Sequence, residues 1–278
     1  MELLKTRVEL ATWRNGVGGK LGLVMTMGAL HEGHLDLVRA AKAQADTVLV
    51  TVFVNPTQFA PGEDYDTYPR DLAGDAAKLQ AVGADALFAP TPEVMYPAGE
   101  ALVRFDPGRA ASILEGKTRP THFAGVLLVV GKMFHLTRPD VAAFGKKDAQ
   151  QLAIVSQMVT DLDFPLTILP VEIRREPDGL ALSSRNRYLS PNERDTALNL
   201  SQALKWGQEN ASRLGAGDLA AKVRQRLEAV PGIDVDYVAL VNPVGFVPIT
   251  GDFRGRAILA LAAKVGSTRL IDNMDVQL

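Results

Sequence analysis

The sequence predicts an α/β protein, with a parallel-sheet domain followed by a smaller α/β domain. Three observations predict it. Apolar runs such as LGLVM at 21–25 and TVLVTVFV at 47–54 are continuous rather than alternating, as in strands covered on both faces. At 21–44 and again at 139–162, such a run empties into a small-residue turn and then an amphipathic helix. After Ser190-Pro191 the texture changes to two helical segments followed by short strands.

Taken in order, residues 2–14 read as a short strand and a helix. Residues 21–25 form a strand, and 35–44 a helix with Leu35, Leu37, Val38 and Ala41 inward. Residues 47–54 form the next strand, stopped at Asn55-Pro56 because a residue before proline avoids the helical region. Strand, helix, strand in this span opens a right-handed, Rossmann-like parallel fold. The polar stretch 56–71 is a loop at the C-terminal end of a parallel strand, where such sheets bind ligands. Residues 72–82 read as a helix stopped by Gly83, 86–88 as a strand, and the Gly/Pro-rich stretch to 108 as a loop with an edge strand around 102–105. Residues 114–121 read as a polar loop, and 126–136 as an apolar helix with Val126 and Val129 in the core. Residues 139–144 form a strand, 149–162 a helix with Leu152, Val155, Met158 and Val159 on one face, and 166–173 a strand. A Pro-Asp-Gly turn at 177–179 starts the domain boundary, which lies near 175–191 and divides the chain into 1–178 and 179–278. Pro191 suits the first helical position, and 192–210 and 215–230 read as helices. Residues 233–240, 256–265 and 268–271 complete a small α/β domain.

Composition excludes several functions. The 278 residues are 47% hydrophobic and 22% charged, with net charge −2, so no whole-molecule field attracts nucleic acid or an anionic membrane. No apolar run is long enough to cross a bilayer, and MELLKTRVEL lacks the basic start and apolar core of a secretion signal. There is no cysteine, hence no disulfide and no thiol chemistry. A cytoplasmic protein fits all of this.

The residues able to do chemistry cluster after predicted strands. In Met27-Gly28-Ala29-Leu30-His31-Glu32-Gly33-His34, the two histidines share one face of a first helical turn. Unpartnered N–H groups and the helix dipole there favour phosphate. The same spacing also suits a surface turn or a metal, though zinc would need a third ligand from His122 or His135. Gln58 can contact a substrate amide or only water. Arg119 can hold a carboxylate or phosphate, or lie on the surface. Gly145-Lys146-Lys147-Asp148 repeats the strand-to-helix turn. There Lys147 can reach phosphate as a mobile point charge. Asp148 can cap the helix, and Gln151 can face ligand or solvent. Ser183-Ser184-Arg185-Asn186 offers hydroxyls, a guanidinium and an amide, as a phosphate clamp or as local caps.

MGALHEGH resembles the HxGH signature of the nucleotidylyltransferase superfamily. Together, MGALHEGH, FVNPTQF, GKKDAQQ, GLALSSRN and the closing RLIDN resemble the pantoate–β-alanine ligase family across essentially the whole chain. That resemblance implies ATP-dependent condensation of (R)-pantoate with β-alanine through a pantoyl adenylate, with Mg²⁺, releasing AMP and diphosphate. It implies an ATP site of Met27, Gly28, Ala29, Leu30, His31, Glu32, Gly33 and His34, with His34 as proton donor and His31 its partner on the phosphates. Gly145, Lys146, Lys147 and Asp148 would also bind ATP, Lys147 on phosphate and Asp148 near ribose or metal. Leu182, Ser183, Ser184 and Arg185 would close over the phosphates, and Arg174 would give a backbone contact near adenine. Gln58 and Gln151 would hold pantoate, Gln58 also facing β-alanine. The second domain would act as a lid, in a homodimer. Three positions depart from the family pattern: Met25 stands for a proline, Lys146 for a glutamate and Ala149 for an aromatic. A nucleotidylyltransferase of the same superfamily, or a non-catalytic nucleotide-binding protein, are the competing expectations.

Overall fold

The computed structural model describes residues 1–278 and divides into two compact units, Met1–Gly145 with Ile154–Val171, and Lys146–Ala153 with Glu172–Leu278.

The first unit is built on a six-stranded, wholly parallel sheet. Its strands are β1 (Glu2–Leu4), β2 (Leu21–Thr26), β3 (Thr47–Val52), β4 (Ala86–Phe88), β5 (Val141–Gly145) and β6 (Thr167–Val171), in the order β1-β4-β3-β2-β5-β6. Leu23 of β2 pairs with Leu49 of β3 on one side and Ala142 of β5 on the other. The order reverses between β2 and β5, which is where open α/β sheets bind their ligands. The helices are α1 (Arg7–Gly16), α2 (Glu32–Lys42), α3 (Leu72–Ala81), α4 (Pro92–Met95), α5 (Leu114–Thr118), α6 (His122–Thr137) and α7 (Ala149–Asp161), the last beginning in the second unit. The predicted inner face of α2, Leu35, Leu37, Val38 and Ala41, is buried in a core with Val24, Val50, Leu79, Leu87 and Ala143.

Two local expectations fail. No strand forms around 102–105. Leu102 and Val103 are 97% and 81% exposed, and no neighbouring strand is there to pair with them. Residues 114–118 are not a polar loop but helix α5, and Gly116 shows why. A side chain on Gly116 would come within 1.8 Å of the Ala111 carbonyl oxygen, so this turn is defined by packing against the 3-10 turn Arg109–Ala111.

In the second unit, β7 (Ile233–Val241), β8 (Arg256–Val265) and β9 (Thr268–Gln277) form an antiparallel meander. The helical stretch α8 (Pro191–Glu228) packs on it through Leu200, Leu204, Leu219, Val223 and Leu227, against Leu259, Leu261 and Val276. Ser190 and Glu193 form the capping box that starts α8, and Pro191 is its first residue. Gly215, at φ 69°, breaks the stretch into the two helices that the sequence predicts.

Candidate active site

In the first unit, the loop after β2 is held from two directions. Thr26 Oγ1 donates to the Thr51 carbonyl (2.9 Å) and accepts the Gly28 N–H (3.2 Å). Gly28 has φ 92° and Ala29 φ 51°, so the chain turns sharply through left-handed backbone. That turn aims two successive N–H groups at one carboxylate. The Ala29 N–H donates to Asp75 Oδ2 (3.0 Å) and the Leu30 N–H to Asp75 Oδ1 (2.8 Å). Asp75 lies in α3 and is 1% exposed. Lys78, one turn further on, donates to the Leu30 carbonyl (2.8 Å). Two N–H groups of the predicted phosphate loop are therefore committed to protein. A Cβ on Gly28 would lie 3.0 Å from Asp75 Oδ2, so glycine serves both the turn and the close approach.

The loop delivers His31 as the N-cap of α2 and His34 as its third residue. His34 Nδ1 accepts the backbone N–H of His31 at 3.3 Å, the place a glutamate takes in a capping box. A neutral imidazole accepting at Nδ1 carries its hydrogen on Nε2. The rings of His31 and His34 stack, with centroids 4.0 Å apart. The two histidines lie side by side, and the backbone N–H of His31 selects the tautomer of His34.

Gln58 ends the 3-10 turn Pro56–Gln58 just past β3. Its Oε1 accepts from Asn55 Nδ2 (3.2 Å), and its Nε2 faces the sulfur of Met27 (3.2 Å). A thioether is a weak acceptor, so this N–H can be claimed by a stronger one. Asn55 is 1% exposed and is the hub of the turn. It also donates to the Gly125 carbonyl (3.2 Å) and accepts from Thr57 Oγ1 (3.0 Å) and Tyr96 OH (2.8 Å). Helix α6 backs directly onto the turn: a Cβ on Gly125 would sit 2.1 Å from the Thr57 carbonyl oxygen. His122 Nδ1 lies 3.0 Å from the Gln58 carbonyl oxygen. Arg119 takes a protein carboxylate, pairing both ways with Glu63 at 2.7 Å. Burial pushes the Glu63 carboxyl up. The two Arg119 hydrogen bonds, its charge and the Ala60 N–H outweigh that and hold it below the usual range.

The second unit carries the other candidates. Lys146, Lys147 and Asp148 form a 3-10 turn leading into α7, where Gln151 is half-buried. The Lys146 ammonium pairs with Glu172 and, at 3.4 Å, with Asp275; the hydrogen bond to Glu172 raises its pKa. Its charge is thereby answered within the protein. Lys147 is half-buried and Asp148 exposed. The Arg174 carbonyl accepts the Leu182 N–H (2.9 Å), closing a hairpin that ends at Ser183. Ser183 Oγ accepts the Arg185 N–H (3.2 Å), capping the 3-10 turn Ser184–Tyr188, so the capping role weighed in the sequence is present. A capping oxygen still keeps its O–H as a donor.

Asn55 and Asp75 were not legible as site residues. Asn55 reads as a strand stop inside the FVNPTQF motif, and Asp75 sits in an ordinary amphipathic helix. One sequence holds no signal for either partnership.

A family model described as "Pantoate-beta-alanine ligase" matches residues 2–275. Pantothenate synthetase of Thermobifida fusca is 51% identical, covering 94% of this chain and 90% of that one. The Salinispora arenicola pantothenate synthetase is also 51% identical, covering 100% and 98%. The crystal structure of pantothenate synthetase from Thermus thermophilus superposes with TM-score 0.91 at 44% identity over 100% of both chains. That of the Francisella tularensis pantoate-beta-alanine ligase, complexed with "Beta-gamma ATP and Beta-alanine", gives 0.81 at 34% identity, covering 99% and 97%. With the quoted motifs in place and half of the residues shared along the whole length, the chain belongs to the pantoate–β-alanine ligase family.

Proposed function

We infer that the chain joins (R)-pantoate to β-alanine through a pantoyl adenylate. The activity is that of its family, a C–N ligase forming pantothenate, with ATP as co-substrate. The observation that carries the reading is the family match over residues 2–275, which contains His34 with its hydrogen on Nε2.

In the first step a pantoate carboxylate oxygen attacks the α-phosphorus of ATP. An O–P bond forms, the bond to the bridging oxygen breaks, and diphosphate leaves. Negative charge gathers on the α-phosphate and the leaving group. His34 Nε2–H, His31, the Lys147 ammonium, the Ser183 and Ser184 hydroxyls and Arg185 stabilise that charge. Main-chain and side-chain groups of Met27, Gly28, Glu32, Gly33, Gly145, Asp148, Arg174 and Leu182 complete the nucleotide contacts. The N–H groups of Ala29 and Leu30 serve Asp75 instead, so those residues act by shape. Gln58 and Gln151 hold pantoate, whose oxygens are better acceptors for Gln58 Nε2 than the Met27 sulfur. In the second step the β-alanine amine attacks the acyl carbon. A C–N bond forms, the C–O bond to phosphate breaks, AMP leaves, and the nitrogen loses a proton. Neither step needs a protein nucleophile, in keeping with a chain that has no cysteine.

Among the described residues no three His, Asp or Glu side chains gather to cage a metal. A Mg²⁺ carried on ATP takes most of its ligands from phosphate and water, so the exposed carboxylate of Asp148 is enough to fit it. When bound, the ion neutralises phosphate charge. We further propose a homodimer working in the cytoplasm. The family resemblance supports both. No helix is long and apolar enough to cross a membrane. Light scattering on the purified protein tests the dimer.

The decisive assay follows AMP from ATP and Mg²⁺ with pantoate and β-alanine together, and with each omitted. Steady AMP release that requires both, with an amide product, is the expected result. Diphosphate release without AMP over many turnovers identifies nucleotidyl transfer instead.

A further inference from the structure

We propose that Asp272 and Asn273, in strand β9, are positioning residues that set the direction of Lys147 and hold the hairpin leading to Ser183. The inference deepens the reading of Lys147 as a phosphate contact and rests on it.

Asn273 is 7% exposed, and its side-chain amide spends both of its hydrogens on one turn. Nδ2 donates to the Lys146 carbonyl at 2.9 Å and to the Lys147 carbonyl at 3.0 Å. These two carbonyls belong to the peptide planes on either side of the Lys147 Cα. Pinning both planes leaves that residue's backbone dihedrals little freedom, and so fixes the direction in which its Cβ leaves the chain. A flexible four-carbon amine is placed only as well as its Cα–Cβ bond is placed.

Asp272, 4% exposed, does the corresponding work for the second phosphate segment. Arg175 grips it with two parallel bonds, Nη1 to Oδ2 at 2.7 Å and Nη2 to Oδ1 at 2.9 Å. The same guanidinium donates to the Gly179 carbonyl (3.1 Å) and the Asn273 carbonyl (3.3 Å). Asp272 Oδ1 also accepts the Asn273 N–H at 2.8 Å. Arg175 and Ala181 are bridged antiparallel, and Ser183 lies two residues beyond. Two adjacent residues of β9 thus hold two segments that are separate along the sequence. Neither residue has a part in the chemistry itself.

The test is a double-mutant cycle on the full enzyme, read by binding of a non-hydrolysable ATP analogue and by AMP release. Asn273→Ala is expected to weaken the analogue about tenfold and to slow AMP release about 10–100-fold, the scale of a misplaced catalytic group. The KM for pantoate, which Gln58 holds from a turn with its own supports, changes less than the affinity for the analogue. In the Lys147→Ala background, Asn273→Ala adds nothing further to analogue binding. Additive losses, or a loss that falls equally on pantoate, overturn the positioning role. If Lys147→Ala weakens the analogue while Asn273→Ala does not, the positioning role alone fails. If Lys147→Ala binds it as wild type does, the phosphate role of Lys147 fails and the inference falls with it. Should Asn273→Ala fold poorly, Asn273→Leu keeps the volume without the donors and is held to the same outcomes.

Discussion

The Asp75 carboxylate accepts the Leu30 N–H at 2.8 Å from a helix 45 residues further along the chain. With the Ala29 N–H on its other oxygen, it ties the left-handed turn to α3 just before His31. Burial of this carboxylate is tolerable because its oxygens receive main-chain donors. Asp75→Ala leaves two N–H groups without their acceptor. We expect it to lose about 2–4 kcal/mol of stability, given the cost of orphaned buried donors and of a lost charged acceptor. Asp75→Asn keeps one acceptor, and is expected to fold while its turnover drops. Denaturant unfolding and AMP release check both, and full turnover in Asp75→Asn would sink the role.

His34 has two separable jobs. Its Nδ1 completes the start of α2, and the hydrogen this leaves on Nε2 is the donor proposed for the phosphates. His34→Asn can keep an acceptor near the His31 N–H but has no donor at the far side. It is expected to keep near-wild-type thermal stability and lose about 10²–10³ in kcat, the usual effect of deleting one transition-state donor. Turnover close to wild type in this variant would falsify the assignment.

Gly125 sets how closely α6 approaches the Gln58 turn. A methyl group there would be 2.7 Å from the Gln58 Cα, so one backbone must move. Gly125→Ala is expected to cost about 1–3 kcal/mol as overpacking. Its kinetic signature is a raised KM for pantoate with the KM for ATP little changed. A variant with unaltered pantoate kinetics would show that the contact does not place Gln58.

The Glu63–Arg119 pair gives a pH signature. The folded-state pKa of Glu63 lies below its ordinary 4.5, so the pair stabilises the fold fully above that pH and loses this contribution as pH falls through the lower, folded value. Wild type is therefore expected to exceed Glu63→Gln in stability at neutral pH. That margin shrinks only under more acid conditions. Urea unfolding along a pH series reads it, and a margin that widens as pH falls below the ordinary carboxylate value of 4.5 contradicts the pairing.

Much of this molecule is legible from residue order alone. Continuous β-branched runs mark the buried parallel strands, since strands covered on both faces carry no polar alternation. His31 and His34 follow a strand at helical spacing, and Gly215 divides two helical patterns. Motif order further identifies the family and its chemistry. The failures are as instructive. The stretch Leu102-Val103-Arg104-Phe105 has a strand's composition but no partner strand, and a strand exists only through pairing. Residues 114–118 are polar yet helical, because packing around Gly116 overrides weak local preference. What only the tertiary structure decided is which groups are already taken. Lys146 is answered by Glu172 and Asp275, Arg119 by Glu63, and the N–H groups of Ala29 and Leu30 by Asp75. The two carbonyls flanking Lys147 are held by an asparagine 126 residues away. Hydrogen bonds are short-ranged and directional, so their partners are set by where folding brings distant segments, a distance that spacing along a single chain does not encode.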